Sequence, residues 1–231
     1  MIKILLWDID GTLLDFSKAE EYGIRKCFDI FGLGECTDEM LSRYSKINRK
    51  YWEMLERGEI SKPQVLRGRF EEFFNSENIN FDKIDEFNLE YQMRLGDKSF
   101  PCDNAIETVT ALKSKYNQYA VTNGTIIAQQ RKLKQSGLIN IFDDIFISDE
   151  IGHEKPSIEF FKAVQEKIGK FNKNEVMIIG DSLSSDMQGG NNAGILCCWY
   201  NPHNAVNKNN IKIDFEINDI SEILKIGRAH V

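Results

Sequence analysis

Two aspartates follow the first apolar run of the chain, at the point where a strand would end. Residues 2–7 are apolar apart from one lysine, which is typical of a strand buried on both faces of a parallel sheet. Gly11 then supplies a turn. Asp8 and Asp10, one residue apart, would repel each other and lose hydration there, and a fold alone does not need them. The pattern therefore predicts a parallel sheet with a chemical role at its carboxyl edge.

Beyond residue 100 the sequence alternates between short apolar segments and segments with helical periodicity. The predicted strands are Gln118–Thr122, Asp144–Ile147, Glu175–Ile179, Ile195–Tyr200 and Phe215–Ile217. The predicted helices between them run from about Ile127 to Gln135, Ile158 to Ile168 and Asp186 to Ala193. This order indicates the α/β class, with a doubly wound, Rossmann-like parallel sheet.

A long helical stretch interrupts this pattern after the first strand. Ser17 is predicted to cap its first helix, Thr37 could start a second, and Ser61 precedes a third with proline in its first turn. A fourth is predicted near residues 83–95. We therefore predict a core formed by residues 1–15 and 99–231, with an all-helical cap domain at 16–98. The cap should sit over the carboxyl edge of the sheet, where open α/β sheets bind ligands.

Composition excludes several classes of protein. No apolar stretch approaches the roughly 18 residues of a membrane span, and the first residues do not resemble a signal peptide. The net charge of −7 would repel a nucleic-acid polymer. The five cysteines have no CxxC spacing, which favours reduced, buried thiols in a cytoplasmic protein. Residues 227–231 continue no pattern and are interpreted as a candidate non-native addition.

Polar side chains follow each of four predicted strands, and parallel strands bring these ends together. The residues concerned are Asp8, Asp10 and Thr12 after the first strand, Thr122 and Asn123 after the second, Lys155 after the third, and Asp181, Ser182 and Asp186 after the fourth. A cluster of up to four carboxylates facing one lysine needs a divalent cation. The available ligands are all oxygens, which favours Mg²⁺ over zinc. Thr122, Asn123 and Lys155 form a donor set suited to a phosphoryl group.

The motifs DIDGTLLD, VTNG, EKP and GDSLSSD resemble, in order and spacing, the four signature motifs of the haloacid dehalogenase superfamily. The resemblance covers nearly the whole chain, and the helical insert is similar to the cap of its first subgroup. It implies a Mg²⁺-dependent phosphomonoester hydrolase that works through an aspartyl-phosphate.

The resemblance also implies a role for each motif residue. Asp8 would be the nucleophile, and Asp10 would protonate the leaving alcohol and then activate water. Thr122, Asn123 and Lys155 would hold the phosphate, with Lys155 also neutralising the nucleophile. Asp8, Asp181 and the main-chain carbonyl of Asp10 would bind the metal. Asp186 would orient Lys155 or a metal-bound water, beside Ser182.

Several of these residues have a purely structural alternative. Ser182 could cap a helix, Asp186 could favour a helix dipole, and Asn123 could belong to an ordinary turn. Phe16, next to the catalytic loop, could stack on a base or ribose, or could form only a contact between cap and core.

Three longer stretches, beginning at residues 12, 121 and 178, resemble the bacterial pyrimidine 5′-nucleotidase branch of the superfamily. This implies hydrolysis of nucleoside monophosphates such as UMP and dTMP. A phosphatase of another small metabolite, such as phosphoglycolate, and a sugar-phosphate mutase remain alternatives within the superfamily. Outside it, a phospho-receiver domain has neither the acid at Asp10 nor a cap, and a binding-only relative would lack motif residues that are all present here. The sequence does not specify an oligomeric state.

Overall fold

A six-stranded parallel sheet forms the centre of the computed structural model, which describes residues 1–226. The segment 227–231, interpreted above as an addition, lies outside the described residues. The strands are β1 (Ile4–Trp7), β2 (Asn117–Thr122), β3 (Asp144–Ile147), β4 (Val176–Gly180), β5 (Leu196–Tyr200) and β6 (Phe215–Ile217). Their order in the sheet is β3-β2-β1-β4-β5-β6, and every neighbouring pair is parallel. The predicted α/β class and doubly wound sheet are confirmed.

The strand order places β1 at the point where the direction of winding reverses. The chain runs outward from β1 through β2 to β3, and then returns to pair β4 with the other side of β1. Trp7, the last residue of β1, lies opposite Ala120 of β2 and Ile179 of β4. The carboxyl ends of β1, β2 and β4 are therefore adjacent, and such a switch point is where open α/β sheets bind ligands.

Helices cover both faces of the sheet. They are α5 (Ala105–Leu112), α6 (Ile126–Ser136), α7 (Ser148–Ile151), α8 (Ile158–Ile168), α9 (Gln188–Ala193) and α10 (Ile223–Ile226). Apolar side chains of α5, α6 and α10 pack on one face, and those of α8 and α9 pack on the other. Sequence patterning missed α5, and it placed the start of the helix after β4 too late, because a π-helical turn at Leu183–Met187 precedes α9.

The predicted helical insert consists of α1 (Phe16–Phe31), α2 (Asp38–Glu56), α3 (Lys62–Ser76) and α4 (Ile84–Arg94). These helices enclose an aromatic cluster of their own, in which Phe28, Phe73 and Phe74 contact one another. The prediction that Ser17 caps α1 was wrong. Asp15 is the cap, because its carboxylate accepts a hydrogen bond from the backbone N–H of Lys18. The division into domains at residues 15 and 99 stays a prediction.

Two further expectations concern the chain as a whole. All five cysteines are free, and burial raises the pKa of Cys27 to about 12 and that of Cys36 to about 11, so these two thiols stay protonated at neutral pH. Over residues 1–226, no helix combines the length and the apolar character needed to cross a membrane.

Candidate active site

The predicted site residues meet at the carboxyl ends of β1, β2 and β4. Asp8 directly follows β1, Thr122 ends β2, and Asp181 directly follows β4. Lys155 reaches the same place from the loop between α7 and α8. These four side chains line one cavity of about 180 Å³, together with Asp10, Asn123, Ser182 and Asp186. The structure thus brings together residues that are up to 178 positions apart, as the strand-end pattern predicts.

Lys155 is the cation at the centre of this cluster. Its ammonium nitrogen lies 2.7 Å from Oδ1 of Asp8, 2.6 Å from Oδ1 of Asp186 and 2.8 Å from the carbonyl oxygen of Val121. Burial alone would lower the pKa of Lys155, but Asp186 and Asp8 together raise it above its usual value. All three ammonium protons have protein acceptors, so Lys155 can neutralise a bound phosphate through its charge without giving up these bonds.

Three carboxylates converge beside this lysine. One oxygen from each of Asp8, Asp181 and Asp186 lies within 4.8 Å of the other two. Burial and the neighbouring charge of Asp186 raise the pKa of Asp8 well above its usual value, although Lys155 opposes this effect. Burial, followed by the charge of Asp186, raises the pKa of Asp181 to about 7. A buried, all-oxygen cluster with more negative than positive charge fits a divalent cation such as Mg²⁺.

The loop after β1 is shaped to bring Asp8 and Asp181 together. The hydroxyl oxygen of Thr12 lies 3.2 Å from Oδ2 of Asp8 and 3.0 Å from Oδ1 of Asp181, and it accepts the backbone N–H of Asp181. Gly11 has a φ of 91°, and a Cβ there would lie 2.6 Å from the Asp181 carboxylate. A side chain at residue 11 would therefore be strained and would displace Asp181.

Asp10 lies at the edge of this cavity and points toward different partners. Its Oδ1 accepts a hydrogen bond from Lys132 at 2.6 Å, and its Oδ2 accepts one from Gln129 at 2.6 Å. Both partners belong to α6 and are buried. The carboxylate of Asp10 thus bonds to α6 and is not part of the close cluster formed by Asp8, Asp181 and Asp186. This separation is compatible with a proton-transfer role for the side chain.

Asn123 and Ser182 are both engaged in bonds that organise the loops. The amide of Asn123 donates to the carbonyl of Lys155 at 2.8 Å and accepts the backbone N–H of Lys155 at 2.8 Å. This two-way contact fixes the backbone that presents Lys155. The hydroxyl of Ser182 accepts the backbone N–H of Ser185 and caps the π-helical turn, while the backbone N–H of Ser182 donates to Asp186. Contact of Asn123 with phosphate stays a prediction.

The cap contributes three side chains to the same cavity. Phe16 comes from the start of α1, and Trp52 and Glu56 come from successive turns of α2. Glu56 accepts a hydrogen bond from Ser184 in the loop after β4, so it also links the cap to the core. Burial and then the charge of Asp186 raise the pKa of Glu56 to about 7.

Sequence reasoning gave no role to Thr12, Lys132, Trp52 or Glu56. Thr12 was visible within the first motif, but its contact with Asp181 depends on the pairing of β1 with β4. Lys132 lies on the buried side of α6, where a lysine would stand out against the helical periodicity. Trp52 and Glu56 are four residues apart, which puts them on one helix face. The sequence alone does not identify this face as the one that lines the cavity, because that depends on how the cap packs on the core.

Comparison with known proteins agrees with this geometry. A family model described as haloacid dehalogenase-like hydrolase matches residues 2–194. The chain is 34% identical to pyrimidine 5′-nucleotidase PynA of Streptococcus pneumoniae, over 96% of this chain and 93% of that protein. It is 27% identical to pyrimidine 5′-nucleotidase YjjG of Escherichia coli, over 98% of both chains.

A solved structure is also similar to this chain. It is the crystal structure of the HAD-hydrolase YfnB of Bacillus subtilis, bound to magnesium. The two structures agree with a TM-score of 0.92 at 33% sequence identity, covering 97% of this chain and 98% of the other. The similarity therefore extends over the cap as well as the sheet.

Proposed function

The chain belongs to the haloacid dehalogenase-like hydrolases and is a phosphomonoester hydrolase, and we propose that it is a Mg²⁺-dependent 5′-nucleotidase for pyrimidine nucleoside monophosphates. The observation on which the proposed mechanism rests is the position of Asp8. Its carboxylate lies on the cavity wall beside a buried lysine, with a second aspartate, Asp10, at the edge of the same cavity. A nucleophile and a separate proton donor are the two groups that phosphoester cleavage through a covalent intermediate requires.

The first step of the proposed reaction is attack by Asp8. One of its carboxylate oxygens forms a bond to phosphorus while the bond from phosphorus to the ester oxygen breaks. Asp10 donates a proton to the leaving ester oxygen, which departs as an alcohol. Asp10 then removes a proton from water, which attacks the phosphorus of the aspartyl-phosphate and releases inorganic phosphate. Lys155 balances charge on Asp8 throughout, and Thr122 donates a hydrogen bond to a phosphate oxygen.

The side chains that would hold Mg²⁺ are those of Asp8 and Asp181, together with the main-chain carbonyl of Asp10. Their oxygen chemistry fits this ion. When bound, Mg²⁺ supplies charge that stabilises the phosphoryl group during transfer. Asp186 already bonds Lys155 and the backbone of Ser182, so its role in this proposal is to position those groups. Thr12 and Gly11 keep Asp181 close to Asp8.

Two observations support a pyrimidine nucleotide as the proposed substrate: the names of the relatives and the charge around the cavity. Two relatives that match nearly the whole chain are named pyrimidine 5′-nucleotidases. Phosphoglycolate would bring a carboxylate, in addition to its phosphate, past the carboxyl groups of Asp10 and Glu56. The only cation that lines the cavity over the described residues, Lys155, already has three acceptors. An uncharged aromatic base suits a wall formed by Phe16 and Trp52 better than a carboxylate does.

The proposal is tested by comparing kcat/KM for UMP, dTMP, AMP and phosphoglycolate at equal Mg²⁺. We expect the two pyrimidine nucleotides to be hydrolysed fastest, and we expect activity to vanish in excess chelator and return when Mg²⁺ is restored. If phosphoglycolate is the best substrate, or AMP equals UMP, the nucleotidase assignment is wrong while the phosphatase assignment survives. A glucose phosphate that is isomerised without release of phosphate would instead indicate a mutase.

A further inference from the structure

Four aromatic rings of the cap lack an aromatic partner among the described residues, and two of them, Phe16 and Trp52, line the cavity. Most cap aromatics pack on one another, as Phe70 does on Tyr44 and Phe87. Within residues 1–226, neither Phe16 nor Trp52 forms such a pair. Both are only partly buried, and both line the cavity that contains Asp8 and Asp10. The ammonium of Lys132 lies 4.9 Å from the centroid of the Phe16 ring, so this cation covers part of that ring, while both side chains remain on the cavity wall.

The three tryptophans of the chain show the same contrast. The indole N–H of Trp7 donates to Gln118 at 3.0 Å, and that of Trp199 donates to the carbonyl of Asp181 at 2.9 Å. For Trp52, no acceptor is found among the described residues. Indole N–H groups usually find a partner when a tryptophan has a structural role in packing. Trp52 thus lines the cavity with an indole N–H that has no acceptor among the described residues.

A smaller recess shares Asp10, Phe16 and Trp52 with this cavity. Its other polar side chains are those of Arg69, Gln92, Thr125, Gln129 and Lys132. Its volume of about 30 Å³ is too small for a ring and has room only for the polar edge of one. A base seated in the larger cavity would direct its edge toward the recess, and the ribose would lie between the base and the ester oxygen that leaves at Asp10.

Two buried polar atoms of residues that line the recess lack hydrogen-bond partners in the part of the chain that the structure describes. They are the donor Nε of Arg69 and the acceptor Oε1 of Gln129. The amide orientation of Gln129 is fixed by chemistry, because its nitrogen donates to the Asp10 carboxylate. Buried polar groups are rarely left unpaired without a reason. A uracil or thymine edge presents carbonyl oxygens beside an N–H, which matches one donor and one acceptor.

We propose that Phe16 and Trp52 form the base-binding walls of the site, and that Arg69 and Gln129 at the recess read the edge of a pyrimidine base. This inference rests on the proposed nucleotidase function and adds the residues that select the base. A purine would place a second ring against a recess that has no room for it, and adenine would offer a different order of donors and acceptors.

The test uses a pair of substrates that differ only in the base. UMP and ribose 5-phosphate both carry their phosphate on the 5′ oxygen of a ribose. Ribose 5-phosphate, however, has no base to stack. We compare kcat/KM for UMP and ribose 5-phosphate in the wild type, Trp52→Leu and Phe16→Leu. The control is Tyr51→Leu, because Tyr51 neighbours Trp52 on α2 but packs against Gly68 and does not line the cavity. Circular dichroism and Mg²⁺ dependence of each variant report whether the fold is retained.

We expect Trp52→Leu and Phe16→Leu each to lower kcat/KM for UMP by roughly 5- to 160-fold, the range given by the loss of one base-stacking ring. Hydrolysis of ribose 5-phosphate should stay within about twofold, and Tyr51→Leu should leave both substrates unchanged. Equal losses on both substrates, or no loss on UMP, would overturn the inference while leaving the nucleotidase assignment intact. If the wild type does not prefer UMP over ribose 5-phosphate, the proposed function itself fails, and the base-binding walls fail with it.

Discussion

The ammonium of Lys155 lies 2.7 Å from Oδ1 of Asp8, and both side chains are buried. The same ammonium contacts Asp186 at 2.6 Å, so two carboxylates share one cation. Burial raises the pKa of Asp8, while the charge of Lys155 lowers it. In the proposed mechanism Asp8 must be ionised to attack phosphorus, and the charge of Lys155 favours this ionised state.

Lys155→Met should therefore remove most of the activity. We expect kcat for phosphate release to fall by at least about 100-fold, the usual scale for losing one charged group at a reacting centre. Lys162→Met is the control, because Lys162 is an exposed lysine that bonds only Glu159. Near-wild-type kcat in a folded Lys155→Met protein would show that Asp8 does not depend on this lysine.

Lys132 should matter through its effect on Asp10. It is buried, lies 2.6 Å from Oδ1 of Asp10, and sits on α6. Without it, the carboxylate loses one of its two anchors, and its alignment for proton transfer should suffer. We predict that Lys132→Met lowers kcat by about 10- to 100-fold. This loss is smaller than the one expected from removing a general acid itself, which typically contributes about 10²- to 10⁴-fold to the rate.

Steady-state kinetics with UMP measures this effect. KM should change by less than about threefold, because in the proposed mechanism Asp10 acts on the leaving oxygen rather than on binding. Lys134→Met, an exposed position on the same helix, is the matched control. An equal loss of kcat in the two variants would point to a disturbed helix instead.

The contact of Glu56 with the core should make stability depend on pH. The pKa of Glu56 is raised to about 7 in the folded protein, first by burial, against a usual value of 4.5. Between these two values the folded chain holds a proton that the unfolded chain has lost. The stability contributed by this group is therefore complete below pH 4.5 and is lost as the pH rises through about 7.

Glu56→Gln has no such proton to lose. We predict that this variant unfolds at a higher urea concentration than the wild type at pH 8, and that the difference becomes much smaller at pH 5. Urea titrations of both proteins without added divalent cation measure this difference in the unfolding midpoint. Because the other carboxylates are the same in both proteins, their contribution cancels in the comparison. A constant difference across this pH range would contradict the assignment of the raised pKa to Glu56.

Phe73→Ala tests whether residues 16–98 form a separate folding unit. Phe73 is fully buried in the aromatic cluster of the cap, and its ring contacts Phe28, Tyr44 and Phe74. Truncation should cost about 3–5 kcal/mol of unfolding free energy. Hydrogen exchange should accelerate within residues 16–98 and stay unchanged in β1 and β4. Equal acceleration in the sheet would argue against a separate cap domain.

The fold could be predicted from the sequence because its signals are local. The apolar runs of β1, β3 and β6 and the proline at the start of α3 each mark an element without knowledge of its neighbours. The capping error at Ser17 has a physical reason, since Asp15 is an equally good cap two residues earlier. Helix α5 lies between Pro101 and β2. It was not predicted, because no strand precedes it whose end would mark the start of a helix.

The site was predictable as a set of residues but not as a set of contacts. Strand ends gave Asp8, Asp181 and Lys155, because parallel strands place their carboxyl ends together. The bonds between Lys132 and Asp10, and between Glu56 and Ser184, join residues more than 100 positions apart through packing of α6 and α2. Such pairs depend on the angle at which helices sit on the sheet, which no local pattern specifies.

The most direct test of this account is phosphate release from UMP by Asp8→Asn in saturating Mg²⁺, beside wild-type protein purified in the same way. An amide oxygen is a poor nucleophile, so the account predicts turnover below about 1% of the wild-type rate, since covalent steps are usually worth many powers of ten. Turnover above that level in a contaminant-free Asp8→Asn protein would contradict the assignment of Asp8 as the nucleophile.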